Sequence, residues 1–267
     1  MSSMSAGPAL GVVGVQCDIA WEDRAANLRR LAPRVAAAAE GGAGLVLLPE
    51  MFATGFSMDT ATVAEPADGP TAAFVHERSD ALGVAVGGSF ACRLADGGKP
   101  VNRFLIARPG EADVVYDKVH PFGYGGEAEH YRAGSQLVTA TIGGVRVTPM
   151  VCYDLRFADA FWGRAEATDC YVVVASWPAS RQAHWRALLV ARAIENLAAV
   201  VGVNRVGAGG GVEYAGGSIA VGPFGAVVDE AGDTEAVVSA RVDPAEVRAV
   251  RERYPFLADR RHLAGDP

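Results

Sequence analysis

The chain has 267 residues, half of them hydrophobic and 21% charged, with a formal net charge of −7. That is enough chain to bury a large core. The acidic balance, with no basic cluster, excludes nucleic acid and anionic membrane as partners, because both are held by concentrated positive charge. No apolar run approaches the roughly eighteen residues of a membrane span. The four cysteines, Cys17, Cys92, Cys152 and Cys170, form no C-x-x-C pair and have no nearby histidine cluster, so neither zinc nor disulfides are expected, and no metal or other cofactor.

Met1 to Pro8 lacks the basic start and apolar centre of a secretory signal. It reads as a disordered lead-in to a single domain over residues 9–267, and the cytoplasm is the default location. Leu10 to Cys17 predicts a strand. Asp23 to Glu40 predicts a helix with Leu28, Leu31, Ala32, Val35 and Ala39 on one face, kinked or broken at Pro33. Gly44 to Pro49 is an apolar run suited to a strand buried on both faces, with Glu50 emerging at its end. Thr71 to Leu82 reads as a helix, and Val84–Phe90, Val101–Ala107 and Asp113–Tyr116 as strands. His120 to Gly134 is a long glycine-containing connection carrying Glu127 and Glu129, and long loops in compact domains are often functional.

Val145 to Val151 is a β-branched run followed directly by Cys152 and then by the helix-like Phe157 to Glu166. The pattern is strand, sharp turn, helix, with backbone N–H groups at the helix start placed to favour a thiolate and then an oxyanion. Cys170–Ala175 is the next strand, and Arg181–Leu197 a helix with Ala187, Val190, Ala191, Ile194 and Ala198 at core spacing. Ala199–Asn204, Gly217–Val221, Ala226–Asp229 and Thr234–Ala240 are strands, and Pro244–Arg253 closes the chain with a short helix. Helices alternate with buried strands early, and strand follows strand later, as in a sandwich whose sheets are covered by helices on their outer faces.

Glu50, Lys118 and Cys152 each directly follow an apolar strand-like run, which puts all three at strand ends, where α/β sheets bind ligands. A thiol, a carboxylate and an amine suffice for amide chemistry: nucleophile, proton carrier and oxyanion partner. Only two lysines, Lys99 and Lys118, occur among 24 basic residues, and a lysine, unlike an arginine, is able to give up a proton. The bland readings stay open, in which Cys152 is one more buried cysteine and Lys118 is where a lysine happens to fall. A thiol–imidazole pair with His120 or His184 is the competing chemistry.

The stretches Leu48-Pro-Glu-Met-Phe52, Asp117-Lys-Val-His-Pro-Phe122 and Cys152-Tyr-Asp-Leu-Arg-Phe157 resemble, in order and over almost the whole chain, the three signatures of the nitrilase superfamily of carbon–nitrogen hydrolases. The resemblance implies a four-layer α-β-β-α sandwich, commonly assembled as a homodimer or larger homo-oligomer. It also implies thioester catalysis by a triad of Glu50, Lys118 and Cys152, with a second glutamate matched by Glu127; Glu129 is then an ordinary surface acid. The loop Pro121-Phe-Gly-Tyr-Gly-Gly126 is richer in glycine than is usual for the family. Met51 to Met58, Ser176 to Trp185 and Arg192 to Asn196 look most like the ω-amidase branch, which hydrolyses the side-chain amide of α-keto acids such as 2-oxoglutaramate and 2-oxosuccinamate and releases ammonia. Other branches cleave nitriles, N-carbamoyl amino acids or aliphatic amides, and a non-catalytic interaction protein on the same fold is the alternative outside enzymes. For a small-molecule amide substrate, Phe56, Tyr153 and Trp177 are expected to line the site. Arg156 is expected to hold the substrate carboxylate, unless it merely pairs with Asp154 or caps local backbone.

Overall fold

The computed structural model describes residues 9–261. The lead-in over residues 1–8 lies outside the described residues. Two sheets face each other. In the first, the path is β15 (Ala236–Val242), β1 (Leu10–Gln16), β2 (Leu45–Leu47), β4 (Ala85–Arg93), β5 (Val101–Ala107) and β6 (Val114–Asp117), with the two-residue β3 (Glu65–Pro66) beside β4. In the second it is β14 (Val227–Glu230), β13 (Ile219–Val221), β10 (Ala199–Asn204), β9 (Cys170–Ala175), β8 (Val145–Val151) and β7 (Ala140–Ile142). A separate hairpin pairs β11 (Val206–Gly209) with β12 (Val212–Ala215).

Helices α1 (Arg24–Glu40) and α3 (Pro70–Leu82) cover the outer face of the first sheet, while α5 (Ala158–Trp162) and α6 (Gln182–Asn196) lie on the second. Two short helices, α2 (Thr60–Val63) and α4 (Glu127–His130), sit in connections, and α7 (Pro244–Arg253) follows β15. The result is the expected four-layer α-β-β-α sandwich. Its centre is packed closely enough that a Cβ on Gly14 of β1 would stand 2.5 Å from a methyl of Val203 on β10. Nothing larger than glycine fits where the two sheets touch there.

Strand direction is what positions the site. β1, β2 and β4 are parallel, β5 is antiparallel to β4, and β6 antiparallel to β5, so β6 runs with β2. In the second sheet β8, β9 and β10 are parallel. The chain therefore leaves β2, β6, β8 and β9 at C-terminal strand ends, the usual ligand edge of an α/β sheet.

Two helical readings need correction. The first helix runs unbroken through Pro33. Pro33 and Arg29 both face solvent, so the carbonyl deprived of its partner by the proline ring is free to bind water. On α6 the buried face is Trp185, Leu189, Arg192, Ala193 and Asn196, and Ile194 remains 49% exposed. Both rows repeat at helical spacing, but the Trp185–Leu189 row covers far more apolar area on the glycine surface of β10. A Cβ at Gly202 would come within 2.5 Å of Leu189. Arg192 is drawn inward because its guanidinium donates to the Leu155 carbonyl, at 3.1 Å from Nε and 2.7 Å from Nη2.

Candidate active site

Glu50 stands just beyond β2, in a turn whose next residue, Met51, has φ +46°. Cys152 directly follows β8, and it too is held at φ +46°, a conformation costly for a residue with a side chain and concentrated at functional sites. The cysteine is the first residue of a 3-10 turn over Cys152–Arg156, and the expected helix behind it shrinks to the five residues of α5. The elbow is therefore sharp, with little helix behind it to supply a dipole.

The two sheets meet at Glu50. Its Oε1 accepts from Lys118 Nζ at 2.8 Å, and its Oε2 accepts the backbone N–H of Ser176, at the end of β9, at 2.9 Å. Lys118 Nζ also lies 2.8 Å from Glu127 Oε2, which takes the Phe122 N–H at 2.5 Å. All three side chains are buried. Two of the ammonium hydrogens are thus committed, and the third has no acceptor among the described residues. Burial by itself would lower the Lys118 pKa, but the charges of Glu127 and Glu50 prevail and hold it above the usual lysine range. The direction of that shift favours Lys118 as a cation over Lys118 as a proton donor.

Burial raises the Glu127 pKa and the Glu50 charge adds to the rise, against the pull of Lys118. Burial likewise raises the Cys152 thiol well above its ordinary value, reinforced by the Glu50 charge and opposed by Lys118. The shift favours the thiol over the thiolate expected from a helix start, so a base is needed to take the proton as Cys152 attacks.

Asp154, two residues on, ties the elbow to the lysine segment. Its carboxylate accepts from Tyr116 Oη at 2.7 Å, from the His120 backbone N–H at 2.9 Å and from the Val151 N–H at 3.0 Å, with His120 Nδ1 also at 2.9 Å. His120 is stacked on Phe157, with centroids 3.8 Å apart, and His184 Nδ1 lies 3.2 Å from Arg156 Nη2. Both histidines are engaged away from Cys152. The Asp154 oxygens are taken as well, and no pairing with Arg156 forms.

Cys152 keeps 9% of its surface and opens into a cavity of about 710 Å³. Phe56, Tyr153, Trp177 and Arg156 all line it, so the expected wall residues are brought together, and Arg181 joins them. The Arg156 guanidinium lies over the Trp177 ring at 4.9 Å. Among the described residues it has no carboxylate partner. The connection expected as a long loop is folded: a 3-10 turn over Gly123–Gly125 leads into α4, which places Glu127 inward and leaves Glu129 exposed.

Sequence reasoning missed Asn102, on β5. Its Nδ2 lies 2.8 Å from Glu50 Oε1 and 3.1 Å from Glu127 Oε1. The available signal was an asparagine inside the mostly apolar strand Val101-Asn-Arg-Phe-Leu-Ile-Ala107, where that residue is disfavoured. The hairpin β11–β12, whose glycine-rich tip also lines the cavity, was missed because glycines give no strand pattern.

The sequence model of the carbon–nitrogen hydrolase family matches residues 12–252. The chain belongs to this family. Among its relatives, the ω-amidase YafV of Escherichia coli K12 is 38% identical over 257 residues, covering 94% of this chain and 97% of that protein. The 2-oxoglutaramate amidase of Bacillus subtilis is 33% identical over 223 residues, covering 81% and 85%. The carbon–nitrogen hydrolase XC1258 of Xanthomonas campestris, solved with an arsenic adduct in its active site, superposes with a TM-score of 0.90 at 35% identity, covering 97% of this chain and 99% of that one. Within the carbon–nitrogen hydrolase fold, then, the buried Glu50–Lys118–Glu127 cluster lies under the one cysteine of the described four that opens on the cavity.

Proposed function

We propose that this carbon–nitrogen hydrolase is an ω-amidase, cleaving the terminal amide of a short α-keto acid such as 2-oxoglutaramate. Cys152 Sγ gives its proton to Glu50 and attacks the amide carbon, and the oxyanion of the tetrahedral adduct faces the free hydrogen of the Lys118 ammonium. Collapse breaks the carbon–nitrogen bond. Glu50 returns the proton to the departing nitrogen, and ammonia leaves a thioester on Cys152. Water then adds to the thioester as Glu50 takes a proton from it; collapse expels the sulfur, which recovers that proton, and the dicarboxylate departs. Glu127 serves by holding Lys118 charged and in place.

The observation that carries the substrate assignment is the guanidinium of Arg156, which has no carboxylate partner among the described residues, in the wall of the cavity onto which Cys152 opens. A cation in the wall of the cavity that also holds the nucleophile favours a substrate with a carboxylate at the end remote from its amide. The names of the Escherichia coli and Bacillus subtilis relatives support the same reading. The apolar side chains left on the surface, Ile194 of α6 at 49% exposure and Phe224 at 51% among them, support assembly as a homodimer, which sedimentation would test.

The test is ammonia release from 2-oxoglutaramate, from a neutral amide of equal length and from an N-carbamoyl amino acid. The keto-acid amide should be preferred. Cys152→Ala should abolish its turnover without altering the circular dichroism spectrum. Preference for either other substrate overturns the assignment, and turnover by Cys152→Ala within tenfold of the parent overturns the mechanism.

A further inference from the structure

The Asn102 amide spends both its hydrogens on carboxylates, one on Glu50 and one on Glu127. Its backbone carbonyl also accepts the Lys118 N–H at 2.9 Å. One residue of β5 therefore touches all three members of the buried cluster. Its own Oδ1 is buried with no hydrogen-bond partner among the described residues. Turning the amide over would not help, because the oxygen would then face two carboxylate oxygens. A buried unsatisfied carbonyl is costly, and asparagine is a poor strand former. An apolar side chain of the same shape would suit the strand better but would leave Glu127 Oε1 without its donor, so the residue here answers to the two carboxylates rather than to the strand.

We propose that Asn102 is a positioning residue that keeps Glu50 and Glu127 as two separate carboxylates around one ammonium, leaving Glu50 without a shared proton and aimed at Cys152.

Among the described residues, the two acids share one cation in ion-pair contact, Lys118. Beyond it, Glu50 faces the Ser176 N–H, and Glu127 faces the Phe122 N–H. The Cys152 thiol and the phenols of Tyr131 and Tyr214 also feel their charge. None of these supplies a second positive charge. Two carboxylates crowded on one cation relieve their repulsion by binding one proton between them, as paired acids do. The amide of Asn102 occupies the place such a proton would take. A Glu50 that already held the proton would have no capacity for the one from Cys152, so Asn102 acts through Glu50 and needs no contact with substrate.

This inference rests on the proposed role of Glu50 as the base for Cys152, and its test does not depend on which amide is the substrate. The rate of Cys152 alkylation by iodoacetamide is followed by mass spectrometry across pH in the parent, in the near-isosteric Asn102→Asp and in Asn102→Leu. Thermal unfolding is recorded for each. In both variants the acid limb of the alkylation profile should move up by about one pH unit or more, so that near neutrality Cys152 reacts about tenfold or more slowly and the deficit closes as pH rises. If Asn102→Leu fails to fold, Asn102→Asp alone decides. A loss of equal size at every pH, or a profile like the parent's, would overturn the proposal and leave Asn102 a structural residue. A parent protein that is not alkylated at Cys152 at all would remove the base role of Glu50 and this inference with it, whereas failure of the ω-amide assignment alone would leave the alkylation result standing.

Discussion

Replacing Arg156 with methionine removes the charge in the cavity wall while keeping a long apolar side chain on Trp177. The guanidinium makes no carboxylate contact among the described residues, and its nearest polar neighbour is His184 Nδ1 at 3.2 Å. The substitution therefore strands no buried acid. What the protein loses locally is the stacking on Trp177 at 4.9 Å, worth about 0.5–1 kcal/mol at a partly exposed site. What the substrate loses is larger. A charge-assisted pair contributes about 1.5–3 kcal/mol, below the ~4 kcal/mol that Coulomb's law allows for unit charges about 4 Å apart at an effective dielectric constant near 20. A loss of about 2–3 kcal/mol corresponds to a roughly 30- to 150-fold fall in kcat/KM for 2-oxoglutaramate. For a neutral amide of equal length, the fall should be less than about threefold. Ammonia release measured on both substrates with parent and variant gives the ratio directly. Equal losses on the two substrates would refute the anchor and show that Arg156 holds the elbow. Arg181, which lines the same cavity with its guanidinium 5.4 Å from the Phe122 ring, would then be the arginine to replace.

Lys118→Arg keeps the charge but sets a planar fork where a compact ammonium reaches two carboxylates at 2.8 Å each in a buried site, so kcat/KM should fall by about 100-fold or more; a loss under about fivefold would mean that charge alone is needed. Under native conditions iodoacetamide should label Cys152 ahead of Cys17, Cys92 and Cys170, because Cys152 lines the cavity and keeps 9% of its surface while the other three keep at most 1%; faster labelling elsewhere, read by peptide mass spectrometry, would refute that access argument. Burial pushes the Cys170 thiol from 9.0 up to about 12. The folded state thus keeps its proton where the unfolded state loses it, and stability that is complete below about pH 9 falls as pH rises toward about 12. Between about pH 8 and about pH 10 the parent should lose about 1 kcal/mol more unfolding free energy than Cys170→Ala in denaturant titrations; parallel losses would show that the Cys170 thiol does not couple to folding.

The three candidate residues at strand ends were legible in the linear chain because each reading was local. Glu50, Lys118 and Cys152 each close an apolar run, and a strand that ends in a polar residue presents that residue at the sheet edge whatever packs around it. The layer order was readable for the same reason, since helix and strand periods are properties of short windows. The tertiary structure alone decided which face of α6 is buried, because two rows of equal spacing differ only in how well they cover Gly202 of β10. It decided the partner of Arg156 too: the Asp154 oxygens are already taken by Tyr116, His120 and Val151, donors from segments distant or differently turned in the chain. Protonation was beyond the sequence altogether. Burial and the Glu50 charge push the Cys152 thiol up, and the carboxylates of Glu127 and Glu50 hold Lys118 charged against the burial that would lower it. Such energies depend on distance and burial in space, which no local pattern encodes.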